Sequence, residues 1–184
     1  MHGRIVTRGP QLGAISGSRH RQVFLQDLVG MFLDEAAWQT AVASENALVY
    51  EVYLVEPSVP EASRLGYGTT VLYPVMVGQE YAFTRGHRHQ RMDRTEVYQV
   101  LEGKGCLLLA DAGGNWESVL LEPGTVAYIG PEQAHRVINT GSEPLVWFAV
   151  YPSDAGHDYD WAGHRGFGHR LLKAANGEPQ WVDG

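Results

Sequence analysis

The 184-residue chain has a single cysteine, Cys106, so no disulfide can close within it. Cys106 is read as a small buried hydrophobe, and a reducing cytoplasm is the expected setting. No apolar run approaches the roughly 20 residues that a bilayer-spanning helix requires. The stretch from Met1 to Arg8 lacks the apolar core of a secretory signal. Positive charge is in deficit: the formal net charge is -7. That excludes a general nucleic-acid binder, which needs a positive face against phosphates. A small phosphorylated ligand stays open, because a few backbone N–H groups and a metal can hold one phosphate locally. There is no internal repeat and no low-complexity segment. What is present, 44% hydrophobic and 19% charged residues, is ordinary for a soluble globular protein, and the length suits one domain with a sizeable core.

Residues 1–33 read as an N-terminal arm and loosely paired edge strand, with no chemistry assigned from Met1 to Arg21. From Asp34 the texture is helical, Asp34 serving as cap, and Trp38 and Val42, four apart, share the face that docks on a sheet. Residues 47–55 and 67–74 are strands by their β-branched and aromatic content, the second stopped by Pro74. From Gly78 to Tyr151 short strands follow one another without helices between them, punctuated by glycine- and proline-rich turns. This spacing predicts an all-β sandwich or jelly-roll barrel open at one end, occupying residues 34–184. The uniformly apolar run from Pro144 to Tyr151 is placed centrally and covered on both faces. The tail, with Asn176-Gly177 between two short apolar stretches, reads as a hairpin with a tight primed turn.

Chemistry concentrates between Thr84 and Glu96. On an extended strand alternate side chains leave the same face, so His87 and His89 point together. Glu96 opens the next apolar run and His135 sits in another, so three imidazoles and a carboxylate can converge from three strands on a divalent transition metal. The plainer reading is a pair of solvated histidines in an arginine-rich loop. Arg85, Arg88, Arg91 and Arg94, interrupted by Asp93 and Glu96, read as a solvated rim. His2, His20, His164 and His169 are left as surface residues. Read alone, Tyr50, Tyr53, Tyr98 and Tyr151 are packing residues, Thr69 and Thr70 ordinary strand residues, and His157 a solvated loop histidine.

The His87-Arg-His89 pair, Glu96, Gly103, Pro123-Gly124, Gly130-Pro131, and His135 with Asn139 together resemble the two metal motifs of the cupin superfamily. With Thr84–Tyr98, Glu122–Tyr128, Ala134–Asn139 and Tyr151–Tyr159, and further back Val49–Tyr53 and Thr69–Pro74, the chain more closely resembles the cupin-type phosphoglucose isomerases known chiefly from archaea. In cupins at large the glutamate stands closer behind the second histidine, and the longer insertion here is a feature of the isomerase family. The resemblance implies a cupin jelly roll with a short N-terminal helix and extra terminal strands. It makes His87, His89, Glu96 and His135 metal ligands, and surrounds the sugar phosphate with Tyr50, Thr70, Thr84, Gly86, Tyr98, Tyr151, His157 and Tyr159. It also implies ferrous iron, with manganese, nickel, cobalt or zinc compatible with the same donors, and a homodimer for which the aromatic-rich early strands offer an interface.

An aldose–ketose isomerase moves hydrogen between C1 and C2 while negative charge builds on oxygen, and a divalent cation takes up that charge as a Lewis acid. Either a base, with Glu96 best placed, removes the C2 proton and returns it to C1, or hydride passes directly. Gly86 is expected to let the backbone approach the phosphate, held by hydroxyls and N–H groups. Two other functions use the same scaffold: an iron-dependent cupin dioxygenase, and a non-catalytic sugar-binding cupin.

Overall fold

The computed structural model describes residues 12–161 and 167–184, so His2, His164 and the first part of the arm fall outside the described residues. The α-helix α1 (Glu35–Ser44) and a 3-10 helix (Leu25–Leu28) accompany the strands β1 (Arg19–Phe24), β2 (Leu48–Val55), β3 (Leu65–Leu72), β4 (Met76–Val77), β5 (Glu80–Tyr81), β6 (Glu96–Glu102), β7 (Gly105–Ala110), β8 (Trp116–Leu121), β9 (Val126–Ile129), β10 (Ala134–Asn139), β11 (Leu145–Pro152), β12 (His169–Lys173) and β13 (Pro179–Asp183). A six-stranded sheet runs β1-β2-β3-β11-β6-β9, beside β10-β7-β8 and β13-β12-β5-β4. Neighbouring strands pair antiparallel throughout. Single bridges from Phe83 to Ile138 and from His87 to His135 lay residues 83–88 alongside β10.

Period-two alternation sets the inner faces. On β9, Ala127 and Ile129 are buried while Val126 and Tyr128 are 65% and 63% exposed. Tyr98 and Val100 of β6, Leu107 and Leu109 of β7 and Val137 of β10 meet them in one continuous core. The arm is no separate appendage, because Val23, Leu25, Leu28 and Phe32 enter that same core. Asp34 caps α1 by accepting the Ala37 N–H at 2.9 Å, and Trp38 docks by donating its indole N–H to the Leu25 carbonyl at 2.9 Å.

Strand β11 lies centrally between β3 and β6. Leu145, Val146 and Trp147 are buried one after another, because Leu12 and Ala14 cross the outer face and pack on Tyr53, Val71 and Val146. Cover on both faces stops there: Phe148 to Val150 are half-buried. Asn139 closes the motif at the end of β10 structurally, donating to the carbonyls of Leu72 (2.8 Å) and Glu143 (2.9 Å) and accepting from Gly141 N–H at 2.8 Å. Cys106 is half-buried on β7.

The C-terminal hairpin forms, but its turn differs from the expected primed type. A type I′ turn needs positive φ at both central residues, and only Gly177 (φ 87°) has it, not Asn176. Instead Gly177 N–H bonds Ala174 C=O at 2.8 Å and Ala174 N–H bonds Glu178 C=O at 2.9 Å, a longer connection. Asn176 steadies it by accepting the Glu178 N–H through its side chain.

Candidate metal centre

His87, His89, Glu96 and His135 converge: one ligand atom from each lies within 4.8 Å of all the others. Three different devices bring them together. His87 is set by reciprocal backbone bonds with His135, N–H to C=O at 3.1 and 2.8 Å. His135 comes from the first turn of the β10 ladder and is 2% exposed, and Glu96 opens β6 and is 4% exposed. His89 lies beyond the bridge, outside any named strand, so a shared strand face accounts for its neighbour and not for it. Its ring is aimed instead by its Nδ1, 3.1 Å from the Arg94 carbonyl.

That contact decides what the centre accommodates. A carbonyl only accepts, so His89 Nδ1 carries the proton, and in a neutral ring Nε2 is a lone pair. It faces Glu96 Oε2 at 3.3 Å, and His135 Nε2 faces the same oxygen at 3.1 Å. Acceptors crowded this way need a positive species between them, either an extra proton or a metal ion. In addition, His87 Nε2 and His135 Nε2 are buried without a hydrogen-bond partner, a costly state unless a cation takes their lone pairs. The donor set of three imidazoles and one carboxylate therefore fits a divalent transition metal. Electrostatics agree. Burial, followed by the other histidines, holds His87 well below the usual imidazole range, so it is neutral and ready to ligate. Burial pushes Glu96 up, yet the adjoining His135 and His89 rings outweigh it and hold the carboxyl at about 2. Burial pulls His89 down, but the Glu96 carboxylate wins and raises it.

The cluster opens on a cavity of about 470 Å³ between the sheets. All eight residues expected around a sugar phosphate line it: Tyr50, Thr70, Thr84, Gly86, Tyr98, Tyr151, His157 and Tyr159. Tyr98 meets His135 edge-on, the centroids 5.9 Å apart. His157 lies 4.4 Å from the His87 ring and stacks on Tyr159, and burial holds it neutral. Tyr151, in β11, is accommodated because Gly66 offers no Cβ where one would stand 2.8 Å from its ring. It donates to Glu56 at 3.0 Å.

The arginines are mostly not a solvated rim. Arg94 forks onto Asp154 at 2.9 and 2.8 Å, Arg88 bonds Asp158 at 2.9 Å, and Arg85 donates to the Asp27 carbonyl. Sequence proximity to acidic residues concealed the two ion pairs, which close over 60 and 70 residues and clamp the histidine loop to the loop carrying His157 and Tyr159. Only Arg91 is largely exposed. Behind the site the buried Arg136, held down to about 9 by burial, lies between the rings of Phe83 and Phe167 and donates to the Arg85 carbonyl at 2.9 Å.

His20 is likewise no plain surface residue: its Nε2 is 2.6 Å from the buried Glu51 carboxylate, and its ring stacks on Tyr53 at 4.4 Å. His169 packs tilted against Trp116, the centroids 4.1 Å apart, and its Nδ1 lies 3.5 Å from Asp183. Sequence reasoning missed Arg19, Arg21 and Glu56, which line the cavity. One signal for the two arginines existed. Val23 is buried, and counting back in twos from it puts Arg21 and Arg19 on the inner face of β1.

An all-β jelly roll with three histidines and a glutamate gathered at its open end defines a cupin. A family model described as "Glucose-6-phosphate isomerase (GPI)" matches residues 22–183. The chain is 46% identical over 171 residues to the glucose-6-phosphate isomerase of Pyrococcus abyssi, covering 93% of this chain and 89% of that one. It is 45% identical over 173 residues to that of Pyrococcus furiosus, covering 94% and 90%. A bacterial relative so named, from Sinorhizobium medicae, is 37% identical over 171 residues, covering 92% and 78%. The chain belongs to the glucose-6-phosphate isomerase family.

Proposed function

We propose that this protein is a metal-dependent isomerase interconverting glucose 6-phosphate and fructose 6-phosphate. The observation that carries the proposal is the convergence of four ligand atoms, two of them buried imidazole nitrogens without partners, at the wall of a cavity lined by hydroxyls. His87, His89, Glu96 and His135 would hold the cation, ferrous iron by preference, with manganese, nickel, cobalt or zinc acceptable to the same donors. When bound, the cation supplies Lewis-acid polarisation of the sugar carbonyl.

The chain's own residues do the rest. Glu96 Oε2 faces His89 Nε2 and His135 Nε2, while Oε1 has no hydrogen-bond partner among the described residues. Oε1 is therefore the atom to take the proton from C2 and return it to C1. Complete retention of label at the migrating hydrogen, in place of solvent deuterium in product, would count for direct hydride transfer instead. The phosphate end is formed by Tyr50, Thr70, Thr84, Gly86 and Tyr159. There Val137 N–H donates to Thr84 Oγ1 at 3.1 Å, leaving that hydroxyl proton free to give.

The expected result is conversion of fructose 6-phosphate that falls at least a hundredfold after chelation and returns with ferrous or manganous ion. Turnover indifferent to chelator, with metal absent by elemental analysis, would sink the proposal. Oxygen consumption without isomerisation would mark a dioxygenase, and sugar-phosphate binding without turnover a receptor.

We further propose a homodimer. Tyr50 and Tyr53 of β2 are buried within the chain, so the early aromatics are not the free surface. Exposed apolar area lies instead on the outer face of β6 and β9, at Leu101, Val126 and Tyr128. Light scattering at micromolar concentration should give twice the chain mass, and Tyr128→Asp should shift it toward monomer. A monomeric wild-type chain would refute the dimer.

A further inference from the structure

We propose that Arg21, on the edge strand β1, is the cation that recognises the phosphate dianion of the substrate; this deepens the isomerase reading above and rests on it. Arg21 pairs with Val52 and Arg19 with Leu54 in the β1–β2 ladder, and all four line the cavity, so both arginines lie on its wall. Their states differ. Arg19 is committed to Glu56, whose other oxygen accepts from Tyr151. Arg21 has neither a carboxylate nor a carbonyl partner among the described residues, although the chain carries 21 acidic residues. A guanidinium left unpaired at a cavity wall is available for an incoming anion.

Its position selects the phosphate end. The charges of Arg21 and Arg85 both act on the phenols of Tyr50 and Tyr159 and oppose the rise that burial causes there. Arg85 is tied to the Asp27 carbonyl and does not line the cavity, so of the two Arg21 is the one left for a ligand. Among the neutral groups at that end, Thr84 has its hydroxyl proton to give, as described above. Gly86 N–H has no acceptor among the described residues and also lines the cavity. Several unspent donors beside one unspent guanidinium match a tetrahedral dianion better than a sugar hydroxyl, which needs an acceptor as well. Neither lysine of the chain, Lys104 or Lys173, lines the cavity to compete for this role. The plain alternative is that Arg21 is an edge-strand cation whose task is to discourage strand pairing.

Calorimetry with sorbitol 6-phosphate and with sorbitol, on metal-loaded protein, separates these readings without requiring turnover. Sorbitol 6-phosphate should bind Arg21→Ala and Arg21→Gln about 10- to 100-fold more weakly than wild type. Arg21→Lys should regain part of the loss, and sorbitol binding should not change. Arg64→Ala removes one positive charge from an exposed site outside the cavity and should bind as wild type. Raising salt from 0.05 to 0.5 M should weaken wild type more than Arg21→Ala. For fructose 6-phosphate the Arg21→Ala loss should fall on KM, with kcat within about threefold. Binding by both alanine and glutamine variants within twofold of wild type, or equal losses in Arg21→Ala and Arg64→Ala, would overturn the assignment. Wild-type protein that binds sorbitol 6-phosphate but turns over no fructose 6-phosphate would refute the isomerase reading alone, leaving the Arg21 comparison to stand or fall on binding. Wild-type protein that binds neither compound would refute both.

Discussion

Glu96→Gln should yield folded protein with less than about a tenth of the wild-type metal content and turnover of fructose 6-phosphate lowered about a thousandfold or more, since Lewis-acid help is worth several kcal/mol at about 1.4 kcal/mol per tenfold. Glutamine keeps the shape of the side chain but not its charge, and the carboxylate is the only anion among the four converging groups. Elemental analysis and assay at increasing metal concentration divide the two roles given to this residue. Activity restored by excess metal would leave Glu96 as ligand only and remove it as base. Activity that stays low although the metal site is refilled supports Oε1 as the proton acceptor.

The same variant has a pH signature in metal-free protein. Glu96 lies at about 2, below its ordinary value. The stability it contributes is therefore present above the ordinary carboxylate range and is lost as pH falls through about 2. His89 is raised by Glu96, so its contribution is full below the ordinary imidazole range and is lost as pH rises through the elevated value. Both are present in full only between about pH 4.5 and pH 6.5. Wild type should exceed Glu96→Gln in urea midpoint most in that interval, and the gap should narrow at higher pH. A gap that does not change from pH 5 to pH 9 would mean the imidazole and carboxylate are not coupled.

How far the sequence carries can be judged at particular residues. The alternation of short apolar runs was enough for the jelly roll, because period two leaves few alternatives when turns recur so often. The convergence of His87, His89, Glu96 and His135 was legible because their types and spacing are specific, and the cavity wall because the family resemblance supplied it residue by residue. Arg94 and Asp154 were not legible, since an ion pair closed over 60 residues leaves no local trace. Nor was His20, whose partner Glu51 is reached only through the register of β1 on β2, where Gln22 and not His20 stands opposite it. The hairpin turn failed for a different reason: Asn-Gly favours a primed turn, but the Lys173–Pro179 pair closes the ladder too early for a two-residue loop.

Gly86→Ala is expected to cost about 2–4 kcal/mol of stability, and turnover should fall by one to two orders of magnitude even where the protein remains folded. The glycine was expected for its freedom to approach a phosphate, yet its surroundings give a second and stronger reason. Its φ is 74°, in the left-handed region that a side chain disfavours by about 1–2 kcal/mol. An added Cβ would stand 2.6 Å from the Phe167 ring and 2.9 Å from the His135 carbonyl oxygen. Neither neighbour yields easily. Phe167 is stacked against the buried Arg136 guanidinium, and the His135 oxygen accepts the His87 N–H that registers one metal ligand against another. Relief of the clash must then move His87, so loss of metal affinity should accompany loss of stability, which a substitution that merely narrowed the phosphate end would not produce. Denaturation midpoints together with metal titration distinguish the two cases: wild-type metal affinity with only a raised KM would show that Gly86 serves the anion alone.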